Sequence, residues 1–270
     1  MIKETYIESR NNSRIKSLKK LKEKKHRMRQ GLYLVEGFRL LEEAFRAGKK
    51  VHTVLYERGK EEEFSRYIAP YAEESEIILT ENDVIRDLSS TVHPQGVIGV
   101  VSLEDASTEE VPGRGASSEL LLYLDGLQDP GNLGTIIRSA HASGAKGIIL
   151  GRNTVDPYNE KVIRSSMGSI FHLPIYHQGE ETLRGFLEAG YQLAVTSLEA
   201  EKNLFHEDLT GNLIIAIGNE GSGISQEIEN KADVLLRIPM PGNAESLNAA
   251  VAASIILFER VRQMENRFLK

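Results

Sequence analysis

Two loops in the C-terminal half gather side chains that can form hydrogen bonds, and their residue types limit the chemistry they can do. Residues 218–225 form a glycine-rich stretch that carries Glu220, and a second stretch carries Ser246 and Asn248. These side chains offer carboxylate, hydroxyl and amide groups, with neither a metal-ligand cluster nor a nucleophile paired with a base. The pattern therefore predicts that the loops bind and position a ligand.

Two predicted strands and a helix must position these loops. Residues 213–217 and 234–238 are short, β-branched, apolar runs of the kind buried in parallel sheets. Residues 244–258 follow with an alanine-rich helical pattern. Loops that leave neighbouring parallel strands at their carboxyl ends form the crevice where open α/β sheets bind ligands. We therefore expect the ligand site at this edge of the sheet.

Strands and helices alternate along the rest of the chain, which predicts an α/β fold in two domains. Residues 31–103 predict a small α/β domain, and residues 120–270 predict a larger one with a mainly parallel sheet. Between them, residues 104–119 are rich in Ser, Thr, Gly, Pro and Glu and predict a linker. Among the predicted elements are a helix over 13–30, a helix over 132–143, a helix over 157–166 and a strand over 170–175.

The composition is that of an ordinary globular protein of 270 residues, 40% hydrophobic and 27% charged. The chain has no cysteine, which excludes disulfides and thiolate chemistry and favours a reducing compartment. Its longest apolar run, residues 249–258, is too short to span a bilayer, and the charged N-terminus does not resemble a signal peptide. We expect a cytoplasmic protein without a membrane segment or a metal.

Charge is distributed unevenly. Residues 1–30 hold eleven Lys or Arg against three Glu, a net of +8, and since the whole chain carries −6, residues 31–270 must carry −14. Among these cations, apolar residues recur at near-helical spacing: Ile15, Leu18, Leu21 and Met28. The stretch therefore predicts an amphipathic basic arm that contacts phosphate, with a solvated tail as the alternative.

A third polar group lies between the first predicted strand of the larger domain and its helix. Asn132 is well placed to cap the helix, and Gly134 and Arg138 lie one turn apart on the same face. The bare glycine would leave room for a ligand beside the guanidinium, although a capped helix with a surface arginine fits the pattern too. Arg164 on the next helix could supply a second phosphate contact, although a solvated helix face is the more ordinary interpretation.

Three segments together resemble the SpoU (TrmH-type) family of RNA 2′-O-ribose methyltransferases, within the SPOUT class. They are Asn132-x-Gly134-x-x-x-Arg138, the run Ile217–Gly223, and Ile238-Pro239-Met240 with Ser246-Leu247-Asn248. The N-terminal part resembles an L30e-like RNA-binding domain through Val35-Glu36-Gly37 and Pro94-Gln95-Gly96. The resemblance thus covers nearly the whole chain.

This resemblance implies an S-adenosylmethionine-dependent enzyme with a deep trefoil knot at its C-terminal helix and active sites completed across a homodimer. It implies cofactor binding by Gly218, Glu220, Gly221, Ile238, Met240, Leu247 and Ser197. The catalytic positions it implies are Arg138, Asn132, Glu220, Ser246 and Asn248. One departure is that Ala249-Ala250 follows Asn248 where many members have Val-Ser, so one hydroxyl is missing near the site.

In-line attack of a ribose oxygen on a sulfonium methyl depends on positioning and on charge stabilisation. An arginine is a poor proton acceptor, so we expect Arg138 to bind the neighbouring phosphate and to stabilise the developing alkoxide. Asn132 and Ser246 would orient Arg138 or the ribose. Glu220 would hold Asn132 or Arg138 in place instead of acting as a base.

The leading hypothesis is ribose 2′-O-methylation of structured RNA, with 23S ribosomal RNA as the substrate and transfer RNA as the alternative. A ribosome assembly factor that kept the fold without catalysis is a second hypothesis, and the complete set of polar positions argues against it. A third is an α/β enzyme acting on a small nucleotide, with the N-terminal domain as a lid. The basic N-terminal stretch favours a polymeric substrate instead.

Overall fold

The structure, a computed structural model, describes residues 4–104, 118–197, 200–242 and 244–268. The chain forms two compact units. Unit 1 comprises Met1–Glu104 and Asp156–Phe171, and unit 2 comprises Asp105–Val155 and His172–Lys270. Residues 105–117, most of the expected linker, lie outside the described residues.

Within the described residues, unit 1 has a five-stranded sheet and unit 2 a six-stranded sheet. The strands are β1 (Glu4–Ile7), β2 (Leu32–Glu36), β3 (Val51–Glu57), β4 (Glu76–Thr80), β5 (Val97–Ser102), β6 (Leu120–Leu124), β7 (Gly147–Leu150), β8 (Ile175–Tyr176), β9 (Gln192–Thr196), β10 (Leu213–Ile217) and β11 (Val234–Leu236). The α-helices are α1 (Ser13–Lys19), α2 (Lys24–Gln30), α3 (Phe38–Arg46), α4 (Glu61–Tyr67), α5 (Asn82–Leu88), α6 (Pro130–Ala142), α7 (Glu160–Ser165), α8 (Gly179–Glu188), α9 (Gln226–Glu229) and α10 (Ala249–Phe268).

The basic N-terminal stretch is built into unit 1 from residue 4 onward. Strand β1, which the sequence analysis did not predict, pairs in parallel with β4 at the edge of the sheet, whose strand order is β1-β4-β3-β5-β2. Ile15 and Leu21 are fully buried against strands of this sheet. The stretch is therefore a folded part of unit 1.

The single helix predicted over residues 13–30 was wrong. Helix α1 passes into a 3-10 turn at Lys20–Lys22, and Glu23 is extended before α2 begins. Met28, expected on the apolar face, is 44% exposed, whereas its neighbour Arg27 is only 3% exposed. The break lets Leu21 enter the core and turns α2 so that Arg27 points inward.

Arg27 is buried because its polar atoms are satisfied. Its guanidinium forms an ion pair with Asp156, and its Nη1 donates to the carbonyls of Leu21 and Lys22 at 2.8 and 2.7 Å. The second carboxylate oxygen of Asp156 accepts from the Tyr158 amide at 3.1 Å. A buried charge is tolerated only with this degree of pairing. The ion pair thus ties residues 156–171 into unit 1.

The sheet of unit 2 is entirely parallel, with the order β11-β9-β10-β6-β7-β8. Its central strands β6 and β10 are buried along their whole length, as expected for a parallel sheet covered on both faces. The α/β fold class and the mainly parallel sheet are therefore confirmed. The trefoil knot that the resemblance implies stays a prediction.

The strand predicted over residues 170–175 was also wrong. Ser169–Phe171 form a 3-10 turn, and β8 begins only at Ile175. Pro174 has no backbone N–H and cannot donate to a sheet ladder, although its carbonyl accepts from the Ile148 amide at 2.9 Å. The proline therefore delays the strand.

Among the described helices, none combines the length and apolar character needed to cross a membrane.

The Arg27–Asp156 pair gives a stability prediction. Replacing Asp156 with Asn keeps an acceptor for the Tyr158 amide but leaves the buried guanidinium without its counter-charge. We expect the free energy of unfolding, measured by urea denaturation, to fall by about 3 kcal/mol. The control is Glu76→Gln, which breaks the exposed ion pair with Arg14 and should cost less than about 1 kcal/mol. Equal losses in the two variants would contradict the account.

Candidate active site

A cavity of about 360 Å³ lies at the carboxyl edge of the unit 2 sheet. The ends of β9, β10 and β11 form its floor, and the loops that follow β10 and β11 form its walls together with the start of α10. Its volume is within the range of small-molecule sites. The cavity therefore lies at the sheet edge where the sequence pattern predicted a ligand site.

The structure brings together every residue that was predicted to bind the cofactor. They line this one cavity: Ser197, Gly218, Glu220, Gly221, Ile238, Met240 and Leu247. Among the lining residues that were not predicted to be part of the site are Thr196, Leu236 and Ala252. Thr196 and Leu236 end their strands, and Ala252 is one turn beyond Asn248. Position at a strand end or one helical turn from a motif would have indicated them.

The glycine-rich loop after β10 is folded back on itself. Asn219 and Gly223 exchange backbone hydrogen bonds of 2.9 and 3.0 Å, so the loop closes as a tight turn. The turn needs glycine at Gly218, because a Cβ there would lie 2.3 Å from the carbonyl carbon of Gly223. The Asn219 side chain accepts from the Gly221 amide and donates to the Gly126 carbonyl at 2.8 Å. The loop is therefore held against the end of β6.

Glu220 joins the glycine-rich loop to the β6–α6 loop. Its carboxylate accepts hydrogen bonds from the backbone amides of Gln128 and Asp129, both at 3.0 Å, and from the Asn132 side chain at 2.9 Å. Asn132 Oδ1 in turn accepts from Asn248 Nδ2 at 2.9 Å. Three of the five predicted catalytic residues therefore form one hydrogen-bonded chain at the rim of the cavity.

These contacts set the ionisation of Glu220. Partial burial alone would raise the pKa of Glu220, but the hydrogen bonds from Asn132, Gln128 and Asp129 outweigh burial and lower it below its ordinary value. The carboxylate is therefore ionised at neutral pH. An ionised group with a depressed pKa is a weak base, so the geometry favours the positioning role expected from the sequence.

Asn132 is free to join this chain because it is not the helix cap that the sequence predicted. Helix α6 begins at Pro130, and its cap is Asp129, whose carboxylate accepts from the Asn132 backbone amide at 2.8 Å. Proline is favoured in the first helical turn, where no backbone donor is needed, which shifts the start of the helix. The Asn132 side chain consequently points to Glu220.

Asn248 caps α10 while it contacts Asn132. Its Oδ1 accepts from the Ala250 amide at 2.9 Å and its Nδ2 donates to Asn132. Helix α10 therefore begins at Ala249, later than the predicted start at residue 244. Ser246 precedes the helix and lines the cavity. One side chain thus fixes both the helix start and the rim of the cavity.

Arg138 is the one predicted catalytic residue that the structure does not bring to the cavity. It lies on α6, is exposed, and has no hydrogen-bond or ion-pair partner in the part of the chain that the structure describes. The neighbouring Ser139 contacts Ser254 of α10, with 2.8 Å between the hydroxyl oxygens. Arg138 is thus available to an external anion. Among the described residues, no group of three or more His, Asp or Glu is arranged to hold a metal.

A parallel sheet with a cavity and glycine-rich loops at its carboxyl edge is the architecture of a ligand-binding α/β enzyme. The sequence model of the SpoU rRNA Methylase family matches residues 119–258, and that of the MRM3-like substrate binding domain matches residues 12–99. The chain therefore belongs to the SpoU rRNA Methylase family, which confirms the resemblance drawn from its motifs.

Individual relatives agree over nearly the whole chain. It is 32% identical to 23S rRNA (guanosine(2553)-2′-O)-methyltransferase RlmP of Bacillus subtilis, over 93% of this chain and 97% of the relative. It is 34% identical to 23S rRNA (uridine(2479)-2′-O)-methyltransferase of Streptomyces viridochromogenes, over 88% and 85%. The AdoMet-bound rRNA methyltransferase from Sinorhizobium meliloti superposes with a TM-score of 0.85 at 32% identity, over 97% and 98% of the two chains.

The Glu220 chain gives a prediction for catalysis. In Glu220→Gln, a single amide oxygen would replace a carboxylate that accepts three hydrogen bonds, and the new amide hydrogens would face donors. Hydrogen bonds to a charged group contribute about 1.5–3 kcal/mol, so we expect methyl transfer to fall by roughly 10- to 150-fold. The measurement is single-turnover transfer of labelled methyl. Glu188→Gln, which removes an exposed charge on α8, should change nothing; equal effects would refute the positioning role.

Proposed function

We propose that the protein transfers the methyl group of S-adenosylmethionine to a ribose 2′-hydroxyl in 23S ribosomal RNA. The observation that carries this proposal is the cavity of unit 2 with the Glu220–Asn132–Asn248 chain at its rim. Relatives that cover the full chain are named as 23S rRNA 2′-O-methyltransferases. Their names specify guanosine in one case and uridine in the other, so the target base is a separate question. We place the activity in the cytoplasm.

The residues of the cavity suit the cofactor. Ile217, Leu236 and Ile238 offer an apolar surface for an adenine ring, and the glycines of the loop after β10 allow the backbone to approach it closely. Ser197 and Ser246 supply hydroxyl groups beside these apolar side chains. When bound, S-adenosylmethionine supplies an electrophilic methyl group on a sulfonium.

We propose that the hydrogen-bonded side chains at the rim of the cavity position the substrate. Glu220 holds the Asn132 side chain, and Asn132 holds Asn248, so the three are fixed before RNA arrives. Asn132 and Ser246 then orient the ribose. Preorganised groups of this kind accelerate an in-line displacement by fixing the reacting atoms. Arg138 binds the phosphate next to the target and stabilises the developing alkoxide.

We further propose that the protein acts as a homodimer that buries the outer face of α10. Val251 and Phe258 are 48% and 49% exposed and lie seven residues apart, on one face of the helix. Exposed large apolar residues in such a row are typical of a surface covered in an assembly. Arg138, on the adjacent helix α6, would then be close to the interface.

The proposed reaction is tested by mapping. Total RNA from a strain that lacks the protein would be incubated with the enzyme and S-adenosylmethionine, and ribose methylation would be mapped across ribosomal and transfer RNA. One new 2′-O-methyl site in 23S rRNA is the expected result. A new site in transfer RNA would instead identify transfer RNA as the substrate. No methylation of free RNA, subunits or assembly intermediates, together with tight ribosome binding, would favour the assembly factor.

Arg138→Ala should abolish methyl transfer, because the side chain is expected to stabilise the developing alkoxide on the RNA. It is not expected to contact the cofactor. We expect at least a 100-fold loss of single-turnover rate, in line with the loss of one donor to a developing oxyanion. Affinity for S-adenosylmethionine, measured by calorimetry, should stay unchanged. Arg184→Ala on α8 is the control for removing an exposed arginine. Retained turnover in Arg138→Ala would contradict the assigned role.

The basic stretch of unit 1 predicts a salt effect. Lys16, Lys20 and Lys24 are exposed cations in or next to α1 and α2. Replacing all three with Gln should weaken RNA binding and flatten its salt dependence, by up to roughly 0.7 in the log–log slope for each lost contact to single-stranded RNA. Deleting residues 1–30 would not test the charge alone, because it would also remove Ile15 and Leu21 from the core of unit 1. The control variant replaces Lys146, Lys202 and Lys231 with Gln. Equal slopes for the two triple variants would disprove a specific RNA surface.

A further inference from the structure

A second cavity, of about 420 Å³, lies beside the first on the same edge of the unit 2 sheet. Its floor is formed by the ends of β6 and β7, and the loop that contains Asn219, Gly223 and Ile224 separates the two cavities, since these residues line both. No role has been assigned to it in the reaction described above. Its lining is polar at the sheet edge and apolar at Ile224 and Ile228.

The hydroxyl of Tyr123, a buried residue, opens into this cavity. Tyr123 is only 2% exposed and lines the cavity, yet its hydroxyl has no hydrogen-bond partner among the described residues. The hydroxyl lies directly against Gly151, where a Cβ would be 2.7 Å from the oxygen. The hydroxyl can therefore donate to a molecule that enters the cavity. Burial, with a smaller effect of nearby Asp125, raises the pKa of Tyr123, so the group is a permanent donor.

Asp125 supplies an acceptor in the same cavity. One of its carboxylate oxygens accepts from the Ser225 amide at 2.7 Å, and the other has capacity to spare. The other charged residues of the lining are already paired, Glu180 with Arg152 and Glu227 with Lys231. Asp125 has no ion-pair partner within the described part of the chain. The cavity therefore offers one hydroxyl donor and one unpaired carboxylate.

The order of the strands relates the two cavities to the reaction. The first cavity lies over β11, β9 and β10, the Glu220–Asn132 contact joins the loops after β10 and β6, and the second cavity lies over β6 and β7. Gln128, which lines the second cavity, donates to Glu220, which lines the first cavity and holds Asn132. A ribose held at Asn132 would therefore lie next to both cavities. The cavity is placed to receive a base.

We propose, on the basis of the proposed function, that this second cavity binds a guanine base of the RNA substrate. The Watson–Crick edge of guanine presents one acceptor, O6, followed by two donors, N1–H and N2–H. The acceptor matches the hydroxyl of Tyr123 and the two donors match the carboxylate of Asp125. Adenine, cytosine and uracil lack two adjacent donors, and Ile224 and Ile228 would contact the faces of the ring.

The test is a nucleoside titration that does not require methyl transfer. The full-length protein, saturated with S-adenosylhomocysteine, is titrated with guanosine, adenosine, cytidine or uridine and followed by NMR. Guanosine should bind about tenfold more tightly than the others. Tyr123→Phe should weaken guanosine binding several-fold, and Asp125→Asn, which keeps an acceptor for Ser225, should abolish the preference. Affinity for S-adenosylhomocysteine should be the same in all variants.

The matched control is Tyr191→Phe, which removes a buried hydroxyl from the same core cluster but one that donates to Glu119. It should leave guanosine binding unchanged. Absence of guanosine preference, or an equal effect of the two tyrosine variants, would overturn the proposal even if the RNA is methylated. Guanosine triphosphate binding more tightly than guanosine would indicate a free nucleotide site and would also overturn it. Failure to methylate any RNA would instead refute the proposed function.

Discussion

The carboxylate of Glu220 is the contact on which the site depends. Three loops that follow different strands of a parallel sheet are not held in place relative to one another by the chain itself. Each loop must also satisfy its own backbone donors. Glu220 accepts two backbone amides of the β6–α6 loop and the side chain of Asn132, and Asn132 passes the constraint to Asn248. Ionised carboxylates form stronger hydrogen bonds than neutral acceptors. One charge therefore sets the positions of the loop after β10, the start of α6 and the start of α10.

Much of this site could be predicted from the sequence, because it lies at strand ends. The buried runs at β10 and β11 fix where the sheet edge is, and the motif residues follow within a few positions, so all seven expected lining residues converge. The error at Asn132 was local: Asp129, Asn132 and Pro130 all offer a helix start, and proline decides it in favour of Asp129. Only the tertiary contact with Glu220 reveals the role of the Asn132 side chain.

Other features could not be predicted, because they depend on residues distant in sequence. Periodicity favoured Met28 over Arg27 for the core, and Arg27 is buried only because Asp156, far along the chain, supplies its counter-charge. Residues 156–171 follow β7 within the match to the methylase family, yet they fold with unit 1. Edge strand β1 depends in the same way on pairing with β4. Local patterns carry no information on such pairings.

The central claim is that Glu220 positions the site as an ionised carboxylate and does not take a proton. The most direct measurement is the pKa of its side chain, obtained by NMR titration of protein labelled at the glutamate carboxyl carbons, with Glu220→Gln to assign the signal. We expect the Glu220 carboxylate to titrate below the ordinary glutamate value of about 4.3. Because the folded-state value is lowered, the stabilisation from Glu220 should be present above this range and lost as the pH falls through it. A pKa near 6 or 7, suited to a general base, would contradict the claim.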